Sequence, residues 1–259
     1  MSRNNVRLLL TLVALIALVK FFDRRSDPGS TTPAPSREER AAQQLDVELT
    51  PAAAVESKEG LAAAIVIDVS GSMDETVKGQ KGSPEKKIEI ARRTALEAVD
   101  QFVAYAKEHP DEPVLLGVYE FSRRRGDPDC RPIVPMGPPD RERAAAAIVK
   151  LDADGGTPIG QAMITAKKEL DGTGLTNRHL LLVTDGENTD GVRPERVAEA
   201  INRRPDAERP AIYFVAFDIE ASRFNGVKNA GGLVLSAATA NELSSTLDSL
   251  LRGKILVEK

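Results

Sequence analysis

The chain has 259 residues, 41% hydrophobic and 29% charged, a composition that supports a sizeable core and excludes disorder throughout. Net charge is −4, aromatics make up 4% and Trp is absent, which argues against a polyanion binder or a base-stacking platform, and so against nucleic acid as a partner. One cysteine, Cys130, excludes an intramolecular disulfide and any CxxC motif, and two histidines, His109 and His179, leave little material for a His-rich metal site.

Leu8 to Phe22 is apolar except for Thr11 and Lys20, with Arg3 and Arg7 before it and Asp23, Arg24 and Arg25 after it. As a helix these residues reach roughly 22 Å against a hydrocarbon core of roughly 30 Å, and snorkelling of Arg7, Lys20 and Arg24 closes the difference. Residues 1–25 are therefore expected to form an N-terminal hydrophobic helix, a single-pass signal anchor. A cleaved signal peptide is the rival reading, disfavoured by the charges that follow at once and by the lack of an A-x-A-like site. Basic residues flank both ends, so the positive-inside rule leaves orientation open, with a periplasmic or extracellular globular part as the working expectation. Residues 26–59 open with SDPGSTTPAPS and read as a polar tether, with a short helix over Arg37–Leu45. Residues 60–252 have the size of one α/β domain, and 253–259 form a tail.

Leu61–Val69 is a continuous apolar run ending at Asp68, the pattern of a strand buried on both faces. Pro84–His109 carries a helical apolar stripe, Val114–Phe121 is a strand, and Ile133–Met136 a short edge strand between prolines. Helices are expected over Arg141–Leu151, with Asp140 as N-cap, and over Pro158–Leu170. His179–Thr184 is another buried strand, Pro194–Arg204 a helix and Ala211–Phe217 a strand. A short strand at Leu233–Leu235 and a helix over Thr239–Leu251 complete the pattern. The alternation predicts a doubly wound, mainly parallel, Rossmann-like sheet with helices on both faces. In such sheets sites form at the carboxyl ends of strands, where strand order reverses.

Three polar clusters fall at such ends: Asp68-Val69-Ser70-Gly71-Ser72-Met73, Asp154-Gly155-Gly156-Thr157-Pro158 and Thr184-Asp185-Gly186-Glu187-Asn188. Asp68 and Asp185 lie 117 residues apart, yet both terminate buried strands on one sheet edge. Two carboxylates there repel unless a proton or a cation sits between them. The nearby donors are the hydroxyls of Ser70, Ser72 and Thr157, without His or Cys. An all-oxygen set of low charge suits Mg²⁺ first, with Mn²⁺ or Ca²⁺ as substitutes, and not Zn²⁺.

DVSGSM at 68–73, GGTP at 155–158 and TDGEN at 184–188, in this order, resemble the von Willebrand factor type A (VWA) family, in its bacterial membrane-anchored form, over about Gly60 to Leu251. The resemblance implies a doubly wound α/β fold with a metal-ion-dependent adhesion site (MIDAS). Ser70, Ser72 and Thr157 would offer hydroxyls there, and Asp68 and Asp185 would hold the metal directly or through waters. An acidic group of a partner protein would complete the coordination. The polar loop Asp74–Ser83 would lean over the metal, and Arg123, Arg124 and Arg125 would lie on the same rim, more as a solvated loop than as a binding patch. Asp154 and Glu187 read as solvated carboxylates, and Cys130 as an incidental thiol.

Three functional classes compete. The first is a tethered module that grips an acidic group of another protein through Mg²⁺, with no small-molecule substrate. The second is a scaffold subunit, for example beside a MoxR-type AAA+ ATPase, as some bacterial members of the family are. The third is a Mg²⁺-dependent hydrolase. No GxxxxGK[ST], HExxH or GxSxG motif is present and neither histidine is near the clusters, so no catalytic residue is assigned and an enzyme is not expected.

Overall fold

The computed structural model describes residues 36–51 and 56–257. The expected hydrophobic helix over 8–22 lies outside them. Among the described residues no helix is long and apolar enough to cross a membrane. The chain divides into two compact units, 1–40 and 41–259, with the boundary inside helix α1 (Arg37–Glu48). In the first unit Ser36 caps the opening turn: its Oγ accepts from Glu39 N at 3.1 Å, and the Glu39 carboxylate accepts from Ser36 N at 2.6 Å.

The second unit is built around β1 (Lys58–Asp68), whose inner residues are all buried. Leu61, Ala63, Ile65 and Ile67 enter one core layer, and Ala62, Ala64 and Val66 the other. This period-2 split, apolar in both directions, requires cover on both faces. On the first face lie α2 (Lys87–Glu108), α3 (Arg141–Ile148) and α7 (Ala240–Leu250). On the second lie α4 (Ile159–Gly172), α5 (Pro194–Asn202) and α6 (Asn225–Asn229). The other strands of this sheet are β4 (Val114–Phe121), β5 (Cys130–Gly137), β6 (Leu175–Thr184), β7 (Ala211–Phe217) and β8 (Leu233–Ala237). Their order is β5-β4-β1-β6-β7-β8, all parallel except β5. The chain leaves β1 toward β4 and returns on its other side to β6, so strand order reverses beside β1.

The doubly wound, mainly parallel α/β architecture is the one expected, with informative differences. The helix expected from Pro84 begins at Lys87. Pro84–Lys86 is instead a strand, β3, that pairs antiparallel with β2 (Thr76–Lys78) inside what reads as a polar loop. Pro84 lacks an N–H and sits at the end of this hairpin, where none is required. The edge strand extends beyond Ile133–Met136 to Cys130–Gly137; its two prolines are tolerated because only β4 pairs with it. The helix after Asp140 ends at Ile148, where tighter bonds from Lys150 N to Ala147 O and from Leu151 N to Ile148 O close the last turn. Helix α6, one turn long, carries too little periodicity to be read from sequence.

Away from the strand ends, Asp171 on α4 is buried between Lys167 and Arg178, accepting from both; the Arg178 bond is 2.8 Å. Surplus donors go to carbonyls: Lys167 Nζ to Leu49 O at 2.8 Å and Arg178 Nη2 to Ala207 O. Burial pushes the Asp171 carboxyl up and the Lys167 ammonium down, against their mutual attraction. Asp171→Ala leaves two buried cations without their shared anion. It is expected to cost roughly 3–5 kcal/mol of unfolding free energy. Urea denaturation checks this, and a loss below about 1 kcal/mol contradicts a working buried triad.

Candidate metal centre

Parallel pairing of β1 with β6 runs in register to Ile67 opposite Val183, so the next residues, Asp68 and Thr184, end the two strands side by side. Asp68 is fully buried. Its Oδ1 accepts from Ser70 N at 2.8 Å and its Oδ2 from Thr184 Oγ1 at 2.5 Å. Asp185, also buried, accepts from Ser72 Oγ at 2.7 Å on Oδ1 and from Lys87 Nζ at 3.0 Å on Oδ2. Ser70 Oγ lies 3.2 Å from Ser72 Oγ, so a chain of hydroxyls links the first loop to Asp185. Burial first, and then the Asp185 charge, push the Asp68 carboxyl up to about 7, against the hydrogen bonds from Thr184 and Ser70 that pull it down.

Thr157 enters from the loop before α4 and is buried. A carbon added at Gly186 would lie 3.5 Å from Thr157 Oγ1 and 3.8 Å from Ser72 Oγ, so both hydroxyls border the space left open by that glycine. The five expected residues, Asp68, Ser70, Ser72, Thr157 and Asp185, thus come from three loops on one sheet edge. Backbone bonds stitch these loops together: Gly71 N to Gly155 O at 2.9 Å, Asp154 N to Val69 O at 2.8 Å and Thr189 N to Thr157 O at 3.1 Å. Thr189 Oγ1 in turn accepts from Thr157 N at 2.8 Å. No group of three or more His, Cys, Asp or Glu residues placed to hold a metal occurs among the described residues. The donor set here is two carboxylates and three hydroxyls, a hard all-oxygen set.

The rim differs in detail from its sequence reading. Arg123 is more than a solvated loop residue: its backbone exchanges two hydrogen bonds with Gly156, and its guanidinium pairs with Asp129 at 2.6 Å. Arg124 reaches the backbone of the 152–154 loop, and Arg125 is exposed. Asp154 and Glu187 are solvated, the latter pairing with Arg223 at 3.0 Å. The loop 74–83 is anchored by Asp74 to Lys86 at 2.6 Å and Glu75 to Lys87 at 3.0 Å. Sequence reasoning missed Lys87, Thr184, Glu75 and Asp218. The available signal was Lys86-Lys87 at the amino end of a long helix, where the macrodipole disfavours cations unless carboxylates hold them.

Residues 63–187 match the family model of the von Willebrand factor type A domain, a span that includes Asp68, Ser70, Ser72, Thr157 and Asp185. The fold is that of a VWA domain. The PilB minor pilin from Streptococcus sanguinis superposes with a TM-score of 0.57 at 13% identity, covering 76% of this chain and 62% of that one. A von Willebrand factor type A protein from Catenulispora acidiphila gives 0.57 at 20% identity, covering 74% and 42%. The vWF domain of the type V pili tip protein Mfa5 from Porphyromonas gingivalis gives 0.56 at 12% identity, covering 76% and 95%. The chain therefore spans less than two thirds of the first two of these proteins. A search of curated proteins found no significant match.

The stitching of the three loops depends on Gly155, whose φ is +88° and where an added carbon would lie 2.3 Å from Arg123 O. Gly155→Ala is expected to cost roughly 1–3 kcal/mol through strain and overpacking. Gly172→Ala, facing open space, is the control and should be neutral or slightly stabilising. Chemical denaturation compares the two, and equal effects would remove Gly155 from the design of the site.

Proposed function

We propose that the chain is a membrane-tethered protein-interaction module. Asp68, Ser70, Ser72, Thr157 and Asp185 hold a Mg²⁺ whose remaining coordination position takes an acidic group of a partner protein. The observation that carries this reading is the burial of two carboxylates at adjacent strand ends, with three hydroxyl-bearing residues in the same three loops. The donor set fits a small hard cation: it lacks soft ligands, and two carboxylates fall short of the charge and ligand number that favour Ca²⁺. When bound, the metal supplies a Lewis-acidic centre that stays electrophilic because few protein charges neutralise it. The residues themselves do the rest. Thr184 and Ser70 fix Asp68, Ser72 fixes Asp185, and the stitched loops fix the hydroxyls, so little ordering is left to be done on binding.

The rim suits an acidic visitor. Arg123, Arg124 and Arg125 close one side, and Arg223 and Arg193 stand on the loops beyond Asp185. Asp129, Glu195 and Glu187 partly offset Arg123, Arg193 and Arg223, so the gain these arginines give in encounter rate with an acidic surface is modest. Pilus proteins among the fold neighbours support interaction as the use of the domain. The apolar run over 8–22 supports a membrane tether. The basic residues at both of its ends do not set the side, and placement of the domain on the periplasmic or extracellular side is the working proposal.

Calorimetric titration of Mg²⁺ and Mn²⁺ into the detergent-solubilised full chain tests the centre. Wild type is expected to bind and Asp68→Ala to lose binding at least tenfold, or about 1.4 kcal/mol. Saturating Mg²⁺ should also stabilise the fold, by about 2.7 kcal/mol at a hundredfold excess over Kd. Absence of binding together with equal melting in Mg²⁺ and EDTA would remove the metal from the function and favour a scaffold subunit. Turnover of generic phosphoesters that depends on Asp68 would overturn the non-enzymatic reading.

A further inference from the structure

Lys87 opens α2, where the helix dipole disfavours a cation, and its side chain is only 4% exposed. Its ammonium has three protons and meets three carboxylates, each at 3.0 Å: Asp185 Oδ2, Glu75 Oε2 and Asp218 Oδ2. These come from three separate segments: the strand-end loop after β6, the turn entering the β2–β3 hairpin, and the end of β7. Asp218 is the one non-glycine residue with positive φ among those described, at +56°, a strained conformation stabilised by its N–H donating to Ala237 O at 2.8 Å.

The three partners are not equivalent. Asp185 is buried and faces Asp68, whereas Glu75 and Asp218 reach solvent. An ammonium that only neutralised Asp185 would need no further partners. With Glu75 and Asp218 also in place, Lys87 can give up Asp185 to another cation and remain paired. Burial opposes its charged form, but the hydrogen bonds to Asp218, Glu75 and Asp185 outweigh it and hold the ammonium above the usual lysine range. It is a fixed positive charge.

We propose that Lys87 is a resident counter-ion that competes with the metal for Asp185, keeping the affinity for bare cation low so that the partner's carboxylate is needed for full occupancy. This rests on the metal-centre reading above. Lys87 neutralises Asp185 when no cation is present, which limits repulsion with Asp68. When a divalent ion takes Asp185, the ammonium falls back on Glu75 and Asp218 and repels the incoming ion. An incoming carboxylate offsets that repulsion, so metal and partner bind with positive coupling.

A purely structural Lys87 predicts the opposite sign. If it served only to position Asp185, its removal would weaken metal binding; as a competitor, its removal tightens it. The test is titration of Mn²⁺ into the full chain of wild type, Lys87→Met and Lys87→Arg, with melting in EDTA and in Mn²⁺. Lys87→Met is expected to bind Mn²⁺ roughly tenfold tighter or more. It should melt below wild type in EDTA and gain more from Mn²⁺, while Lys87→Arg, which keeps the charge, stays near wild type. Unchanged or weaker Mn²⁺ binding by Lys87→Met overturns the proposal. So does a Met variant that fails to fold even with Mn²⁺, because a bound cation should stand in for the ammonium. Lack of Mn²⁺ binding in all three proteins refutes the metal reading itself, whereas binding by wild type with the wrong sign in Lys87→Met refutes only the role of Lys87.

Discussion

Two carboxylates forced together at the ends of adjacent parallel strands are the constraint on which the rest of the site depends. The β1–β6 register fixes Asp68 beside Thr184 and places Asp185 one residue further on. Neither can withdraw without breaking the central pair of the sheet. Water cannot screen them, because both are buried. The protein answers with short-range partners: a backbone N–H and a threonine hydroxyl on Asp68, a serine hydroxyl and an ammonium on Asp185. Only the last carries charge. Two buried carboxylates, of which Asp185 alone touches the ammonium, form a site with a standing demand for positive charge, and under the proposed function that demand gives the hydroxyls of Ser70, Ser72 and Thr157 a use beyond capping.

The loops that supply these groups are held more tightly than their composition suggests. Glycine-rich segments pay heavily for order, yet Gly71, Gly155 and Gly156 each take part in backbone bonds to a neighbouring loop. Arg123 closes the ladder by exchanging two bonds with Gly156, so the end of β4 is bound to the threonine loop. Entropy is thereby lost on folding instead of on binding, the condition under which a few weak oxygen donors can hold a hydrated ion.

Much of this was legible in the sequence, for a definable reason. Asp68, Ser70, Ser72, Thr157 and Asp185 sit directly after unbroken apolar strands or before a proline-started helix, and in a doubly wound sheet those places map to one edge. Alternating strand and helix patterns likewise gave the layer order. The unread part depends on side-chain reach across segments. Lys87 looked like the second turn of a helix opening at Pro84. Once the hairpin takes Pro84–Lys86, it becomes the first helical residue and turns toward Asp185. Glu75 and Asp218 lie in turns whose direction no periodicity encodes, and the role of Arg123 is carried mostly by its backbone. For Asp218 the decisive fact, a left-handed backbone at a non-glycine residue, is visible only in three dimensions.

The two buried charge clusters in the second unit differ in which kind of group is in excess. Around Asp171, two cations share one carboxylate, and each cation also donates to a backbone carbonyl, Lys167 to Leu49 O and Arg178 Nη2 to Ala207 O, while Arg178 Nε stays without a partner among the described residues. Excess donors are easily satisfied inside a protein, since backbone carbonyls are plentiful and accept without carrying a net charge. Around Asp68 and Asp185 the excess is in anions, with one ammonium for two buried carboxylates and two more carboxylates at the solvent edge drawing on the same ammonium. Backbone N–H and hydroxyl donors reduce the cost of that excess but cannot cancel its charge. What remains is either a proton held on Asp68 or an ion taken from solution. The same sheet therefore carries an ionic cluster with donors in excess in one place and, at its carboxyl edge, one with carboxylates in excess, and that excess is the feature on which the proposed metal centre rests.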